Sequence, residues 1–171
     1  MPGAVYISIQ GSKQGNITAG GNSSDSMGNK YQSNHTDEST VLSFDHRITV
    51  PRDPRHGQPT GQRVHEVLRI RKPLDKASPL LGNAVAKGEV LTKVEIKFWR
   101  TNVQGQQEHY YTIKLTDAII VDITAETPLL SDKELGFRDH EEFISFSYLK
   151  IEWEHVIAGT NGQDTWRDPT S

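Results

Sequence analysis

The chain has 171 residues, 34% of them hydrophobic, with 19 basic against 22 acidic side chains and a formal net charge of −3. One domain of this size buries roughly 70% of its unfolded surface, and near-balanced charge gives no electrostatic footprint for nucleic acid or an anionic membrane. The absence of cysteine excludes disulfides, thiolate metal sites and a cysteine nucleophile, and no segment reaches the ~20 apolar residues of a membrane-spanning helix.

Val5, Ile7 and Ile9 alternate with Tyr6, Ser8 and Gln10, which predicts a first strand. No basic region followed by an apolar run precedes it, so export through a cleaved signal peptide is not expected. Gly11 to Ser39 is rich in Gly, Ser and Asn. It reads as a long loop with a short strand near Asn16–Ala19. Next, Leu42, Phe44, His46, Ile48 and Val50 share one strand face, and Ser43, Asp45, Arg47 and Thr49 form a wet opposite face. Pro51 to Arg63 carries three prolines and two glycines and reads as a semi-rigid excursion. Val64, Leu68 and Ile70 give a third strand.

Lys72 to Gly88 contains the one convincing helix. Ser78 stands where an N-cap hydroxyl is expected, and Pro79 fits the first helical position. Leu80 with Ala84 and Leu81 with Val85 form an apolar stripe, and Gly88 suits a left-handed stop. Such a short helix must dock on a sheet. Val94, Ile96 and Phe98 then alternate with Lys93, Glu95, Lys97 and Trp99, followed by a hairpin at Asn102–Gly105. Tyr111, Ile113, Leu115, Ile119, Val121 and Ile123 keep one phase, broken by Asp117. A strand this long is expected to bulge or change partner near Thr116–Ala118. The last strand changes phase at Tyr148, which predicts a bulge or burial of both faces at a subunit interface. Residues 1–157 read as one domain and 158–171 as a poorly ordered polar tail. The expected fold class is mainly β: a two-sheet antiparallel β-barrel with one short flanking α-helix.

Chemistry is hard to find. His46, His56 and His65 are spaced ten and nine apart, match no compact ligand motif, and read as unrelated polar histidines. No metal and no cofactor is expected. Glu141–Glu142 and Glu152/Glu154 could supply paired carboxylates, but the latter pair reads as a solvated strand face. Asn16, Asn22 and Asn34 head glycosylation sequons that a Ser/Asn-rich loop produces by chance. No G-x-S-x-G elbow occurs. Trp99 points outward beside Lys97 and, with Tyr148, is a candidate subunit contact. The residues favour assembly over catalysis. The competing class is a carbohydrate-binding or hydrolytic β-sandwich.

Several stretches resemble one family. M-P-x-x-x-Y-I-S-I-x-G-x-x-Q-G-N-I-T-A-G opens the chain at Met1–Gly20, with T-V-P-R-D-P and G-Q-P-T-G-Q-R-V-H within Thr49–His65. D-K-A-S-P-L-L follows at Asp75–Leu81, the long Q-E-H-Y-Y-T-I-K-L-T-D-A-I-I-V-D-I at Gln107–Ile123, and I-E-W-E-H at Ile151–His155. In order and across almost the whole chain, these resemble the haemolysin-coregulated protein (Hcp) family, the tube subunit of type VI secretion. The resemblance implies a non-enzymatic homo-hexameric ring that stacks with other rings inside a contractile sheath. A spike protein would cap the tube, and effector proteins would travel in its lumen. Assembly would take place in the bacterial cytoplasm, followed by secretion to the extracellular space or a target cell without membrane insertion. Under that resemblance Ser43, Asp45, Arg47 and Thr49 are expected to line the lumen. Arg52, Asp53, Pro54, Arg55 and His56 are expected to contact the next ring.

Overall fold

Alternation along the strands decides which side faces the core: Ile7, Ile9, Val94, Ile96, Ile113, Leu115 and Ile151 are all buried, while their strand neighbours are half-buried or exposed in most cases. The computed structural model describes residues 3–134 and 140–166. Among them are twelve strands: β1 (Val5–Gly11), β2 (Gly15–Asn16), β3 (Ser39–Val41), β4 (Ser43–Asp45), β5 (Ile48–Thr49), β6 (Val64–His65), β7 (Leu68–Pro73), β8 (Leu91–Thr101), β9 (Gln107–Glu126), β10 (Glu141–Ser147), β11 (Lys150–His155) and β12 (Thr160–Thr165). Helix α1 (Ser24–Met27) is a single turn and α2 (Ser78–Lys87) is the docked helix.

All pairings are antiparallel. One sheet runs β2-β1-β8-β9-β11-β12, and the other β9-β10-β7-β4. The 20-residue β9 serves both. Its pairings to β8 and β11 end at Ala118 and Thr116, and its pairing to β10 begins at Ile119. The expected change of partner near Thr116–Ala118 is therefore observed. Asp117 sits at the switch with φ +50°, the one non-glycine at positive φ among the described residues. A second join is the ribbon Ser39–Asp45: β3 pairs with β1, and β4 pairs with β7. The mainly β, antiparallel class is as expected.

Helix α2 lies on the core that the two sheets enclose. Leu81 is fully buried and Ala84 nearly so, with Leu80 and Val85 packed beside them. Burying Leu81 alone stabilises by about 1.5–3 kcal/mol. Gly88 closes the helix at φ +64°, as expected. The start differs from expectation. Ala77, not Ser78, occupies the N-cap position, and its N–H donates to Asp75 Oδ1 at 3.0 Å. The Ser78 hydroxyl is drawn elsewhere, donating to Glu142 Oε1 at 2.7 Å.

The polar segments are more ordered than their composition predicts. Between Gly11 and Ser39, Ile17, Thr18 and Asn22 are buried, and Asn22 donates to the Glu38 carbonyl at 2.7 Å. The Leu42–Val50 run is not one strand but β4 and β5, because Ser39–Asp45 crosses between sheets; Leu42 and Val50 are left half exposed. From Ala158 onward no tail begins: β12 pairs with β11 in full register from His155↔Thr160 to Lys150↔Thr165. Residues 167–171 of that expected tail lie outside the described residues.

Candidate functional site

Three surfaces carry the polar and exposed features of the fold. The first is an arm. β5 and β6 pair through only Ile48↔His65 and Thr49↔Val64, and the chain between them folds on itself through Asp53 N–H→Gln58 O (2.8 Å) and Thr60 N–H→Pro51 O (2.8 Å). Asp53 Oδ1 accepts from the Arg55 N–H at 2.7 Å, an Asx turn. Arg52, Pro54, Arg55 and His56 are exposed and Asp53 half-buried. Ile48, Val50, Val64 and Val67 add exposed apolar surface at the arm's base. Such surface fits a partner better than water.

A two-residue ladder is too short to hold an arm in place, and the fastening comes from its root. His65 Nδ1 meets the Tyr148 hydroxyl at 2.5 Å and His65 Nε2 meets Asp164 Oδ2 at 2.6 Å. His46 Nε2 reaches the same hydroxyl at 2.8 Å. Arg63 donates to both Asp164 oxygens, at 2.5 and 2.9 Å, and to the Thr165 carbonyl at 3.2 Å. Burial pushes the Tyr148 phenol up, with the nearby Asp164 charge acting in the same direction. The Arg63 hydrogen bond holds Asp164 below its ordinary value, with His65 adding to it. Burial lowers His46, the neighbouring His65 lowers it further, and Asp45 opposes both.

The second surface is the outward face of the larger sheet. Register aligns Ser8, Glu95, Lys114, Glu152 and Gln163 in one cross-strand row. Tyr6, Lys97, Thr112, Glu154 and Asn161 form the next, and Gln10, Lys93, Thr116, Lys150 and Thr165 a third. Opposite charges neighbour each other along and between rows: Lys93 Nζ–Glu95 2.7 Å, Lys114 Nζ–Glu152 3.8 Å, Lys150 Nζ–Glu152 3.2 Å. These partly exposed pairs, open to solvent screening, contribute little stability. Their effect is a broad, wet, charge-balanced wall.

The third is an aromatic cluster at the end of β8. Tyr6 stacks on His35 at 3.7 Å, His35 meets the Trp99 edge at 5.0 Å, and Trp99 stacks on His109 at 5.5 Å. Burial raises Tyr6, helped by Glu38. Burial also lowers His109, helped by Lys97 and opposed by Tyr111, Glu38 and Glu154.

A family model described as "Type VI secretion system effector, Hcp" matches residues 6–155. The chain belongs to the Hcp family. It is 52% identical over 167 residues to the "Major exported protein" of Pseudomonas aeruginosa, an alignment covering 98% of this chain and 97% of that one. Among solved structures, one titled "Crystal structure of Hcp protein" superposes with a TM-score of 0.92 at 42% identity, covering 97% and 99% of the two chains. The secreted protein Hcp3 of Pseudomonas aeruginosa does so with 0.83 at 45% identity, over the same shares. The chain is thus a component of type VI secretion.

Set on this Hcp fold, the expected site residues separate. Ser43, Asp45 and Arg47 are exposed, while Thr49 is half-buried and on a different strand from Ser43 and Asp45. Arg52 to His56 lie together on the arm, exposed except for half-buried Asp53. Tyr148 does not face outward: it is 1% exposed, and the phase change at Tyr148–Leu149, between β10 and β11, is satisfied inside the chain. Trp99 is half-buried in the aromatic cluster rather than free beside Lys97. His46 and His65 are not unrelated, since one hydroxyl joins them. Glu141 and Glu142 are buried but neutralised, by Arg71 and by Lys72 respectively, which leaves no spare carboxylate pair there for hydrolysis. Among the described residues no cluster of metal-ligating side chains forms.

Sequence reading missed Asp164 and Lys72, and took His65 for an unrelated polar histidine. Lys72 is 0% exposed, and its Nζ donates to Glu142 Oε1 (2.7 Å), Asp75 Oδ1 (2.9 Å) and the Pro73 carbonyl (3.0 Å). No local pattern marks it, because Glu142 joins from a distant strand. The three polar rows were half legible, in the alternation of Lys93, Glu95 and Lys97.

Proposed function

We propose that this chain is the tube subunit of a type VI secretion system: six copies form a ring, rings stack into a tube, and sheath contraction expels it with effectors in its lumen. The observation that carries this reading is the match of nearly the whole chain, in sequence and in fold, to Hcp proteins. Assembly would occur in the bacterial cytoplasm beneath a spike protein, followed by export. Neither catalysis nor a cofactor enters the function. The exposed apolar arm supports a contact with the next ring. Two wet faces compete for the lumen. The short Ser43–Asp45–Arg47 edge is one. The three charged rows are favoured because they span β1, β8, β9, β11 and β12 with opposite charges adjacent, a surface that stays hydrated and binds no single charge type strongly.

Negative-stain images of the purified protein test the assembly. Six-fold rings are expected, and featureless monomers would overturn the reading. Shortening the arm by residues 53–58 is expected to leave rings that no longer stack; tubes of normal length would remove the stacking role. Charge reversal of Glu95 with Lys114, compared with reversal of Asp45 with Arg47, assigns the lumen by which variant alters effector retention while rings persist.

A further inference from the structure

We infer that the His46–Tyr148–His65–Asp164 chain is a latch on the arm that accepts one proton and is broken by a second. Asp164, held ionised by Arg63, can only accept, so His65 carries a proton on Nε2. When both imidazoles are neutral, His65 Nδ1 accepts from the Tyr148 hydroxyl, and the Tyr148 oxygen accepts from His46 Nε2–H. Every group is satisfied. When His65 gains a proton, its Nδ1–H donates to the Tyr148 oxygen, half-buried His46 exchanges its own proton from Nε2 to Nδ1 through solvent, and the phenol turns its proton to the freed His46 Nε2. Every group is again satisfied, and the imidazolium pairs with Asp164. When both imidazoles are charged, both point an N–H at the same oxygen. The phenol proton then has no acceptor, in a side chain 1% exposed, and an orphaned buried donor is costly.

Asp45 offsets the second charge only in part, because burial and the charge on His65 both act against it. Asp45 lies beside His46, while Arg69, the register partner of Asp45 across the β4–β7 ladder, holds its guanidinium over the Phe143 ring at 4.6 Å. Arg63 and Asp164 lie on the His65 side with the Trp166 ring, and the exposed Arg47–Glu66 pair at 3.9 Å flanks the arm root. Asp164 is already shared between Arg63 and His65. The latch holds both roots of the arm: His46 precedes β5, and His65 ends β6. Acid therefore loosens the arm in two stages, the first silent. The link to ring stacking rests on the reading of the arm proposed above; the latch itself does not.

The experiment follows the histidine side chains by nitrogen NMR together with amide hydrogen exchange across Ile48–Glu66, in the full chain, over a pH series. Two separated histidine transitions are expected for His46 and His65. Corrected for the intrinsic amide rate, arm exchange should stay constant through the first and rise by up to about tenfold per pH unit through the second, the limit that linkage to one proton sets. His46→Gln keeps a hydroxyl partner and removes the second proton, so its arm should stay protected. Two coincident transitions, or arm exchange that rises with the first, would overturn the latch, as would acid loosening of the arm in His46→Gln. Images at the same pH values separate the two claims: a loosened arm with intact tubes sinks the stacking role and leaves the latch standing.

Discussion

Lys72→Met is the sharpest test of how this fold holds its helix. The ammonium sits at 0% exposure between two carboxylates whose side chains are 0% and 4% exposed, Asp75 and Glu142. Asp75 also accepts the N–H of the residue before α2, and Glu142 accepts from Ser78 at its first turn. Methionine fills nearly the same volume but leaves both carboxylates buried without a cation. Breaking a buried pair in this way costs about 3–5 kcal/mol, a large part of a stability of roughly 5–15 kcal/mol. At roughly 2–4 °C per kcal/mol for a chain of this length, Tm falls by about 6–20 °C. The assay is calorimetry at neutral pH and fixed protein concentration, since assembly itself shifts Tm. The triple variant Lys72→Met/Asp75→Asn/Glu142→Gln removes the charges together and should recover much of the loss. A single variant within about 1 kcal/mol of the parent would refute the reasoning.

Further outcomes follow from other positions. Asp117→Val forces a β-branched residue into positive φ and should cost about 1–2 kcal/mol, whereas Asp117→Gly should stay close to the parent; denaturant midpoints check both. Because Asp164 is held below its ordinary value, its ion pair stabilises the fold above the unfolded carboxylate value and is lost as pH falls through the folded one. The Tm gap between the parent and Asp164→Asn should therefore be wide at neutral pH and close progressively below about pH 4. A gap that widens on acidification would reverse the assignment. Gly88→Ala places a Cβ at φ +64° with no compensating contact and should cost about 1 kcal/mol, read from thermal melts.

Much of the fold was legible wherever one face is apolar. The partner change on β9 follows from the length of its run and the break at Asp117, and the interruption at Tyr148 follows from the phase shift between Phe146 and Ile151. The polar elements were less legible. β12 is T-N-G-Q-D-T, which buries nothing on its own and becomes a strand only because β11 offers it a ladder. The short strand expected near Asn16–Ala19 is observed at Gly15–Asn16, and the burial of Ile17 and Thr18 beside it follows only once the chain folds back, with Ile17 N–H donating to the Ile9 carbonyl at 2.9 Å. The arm latch brings together His46, His65, Tyr148 and Asp164 from four separate stretches, and spacing along the chain carries no trace of that meeting.

The ribbon Ser39–Asp45 bears on the order in which the chain can fold. β1 is made first, yet its long partner β8 begins at Leu91. During synthesis the apolar face of β1 waits; β2 pairs only with its end at Gln10 and Gly11, and β3 is the next strand to pair with it, at Val5–Ile7. Since β4 continues directly from β3 and pairs with β7, the same short segment carries β7 toward β1 before the longer strands exist. Few residues are spent on it, and it shortens the loops that later pairings must close.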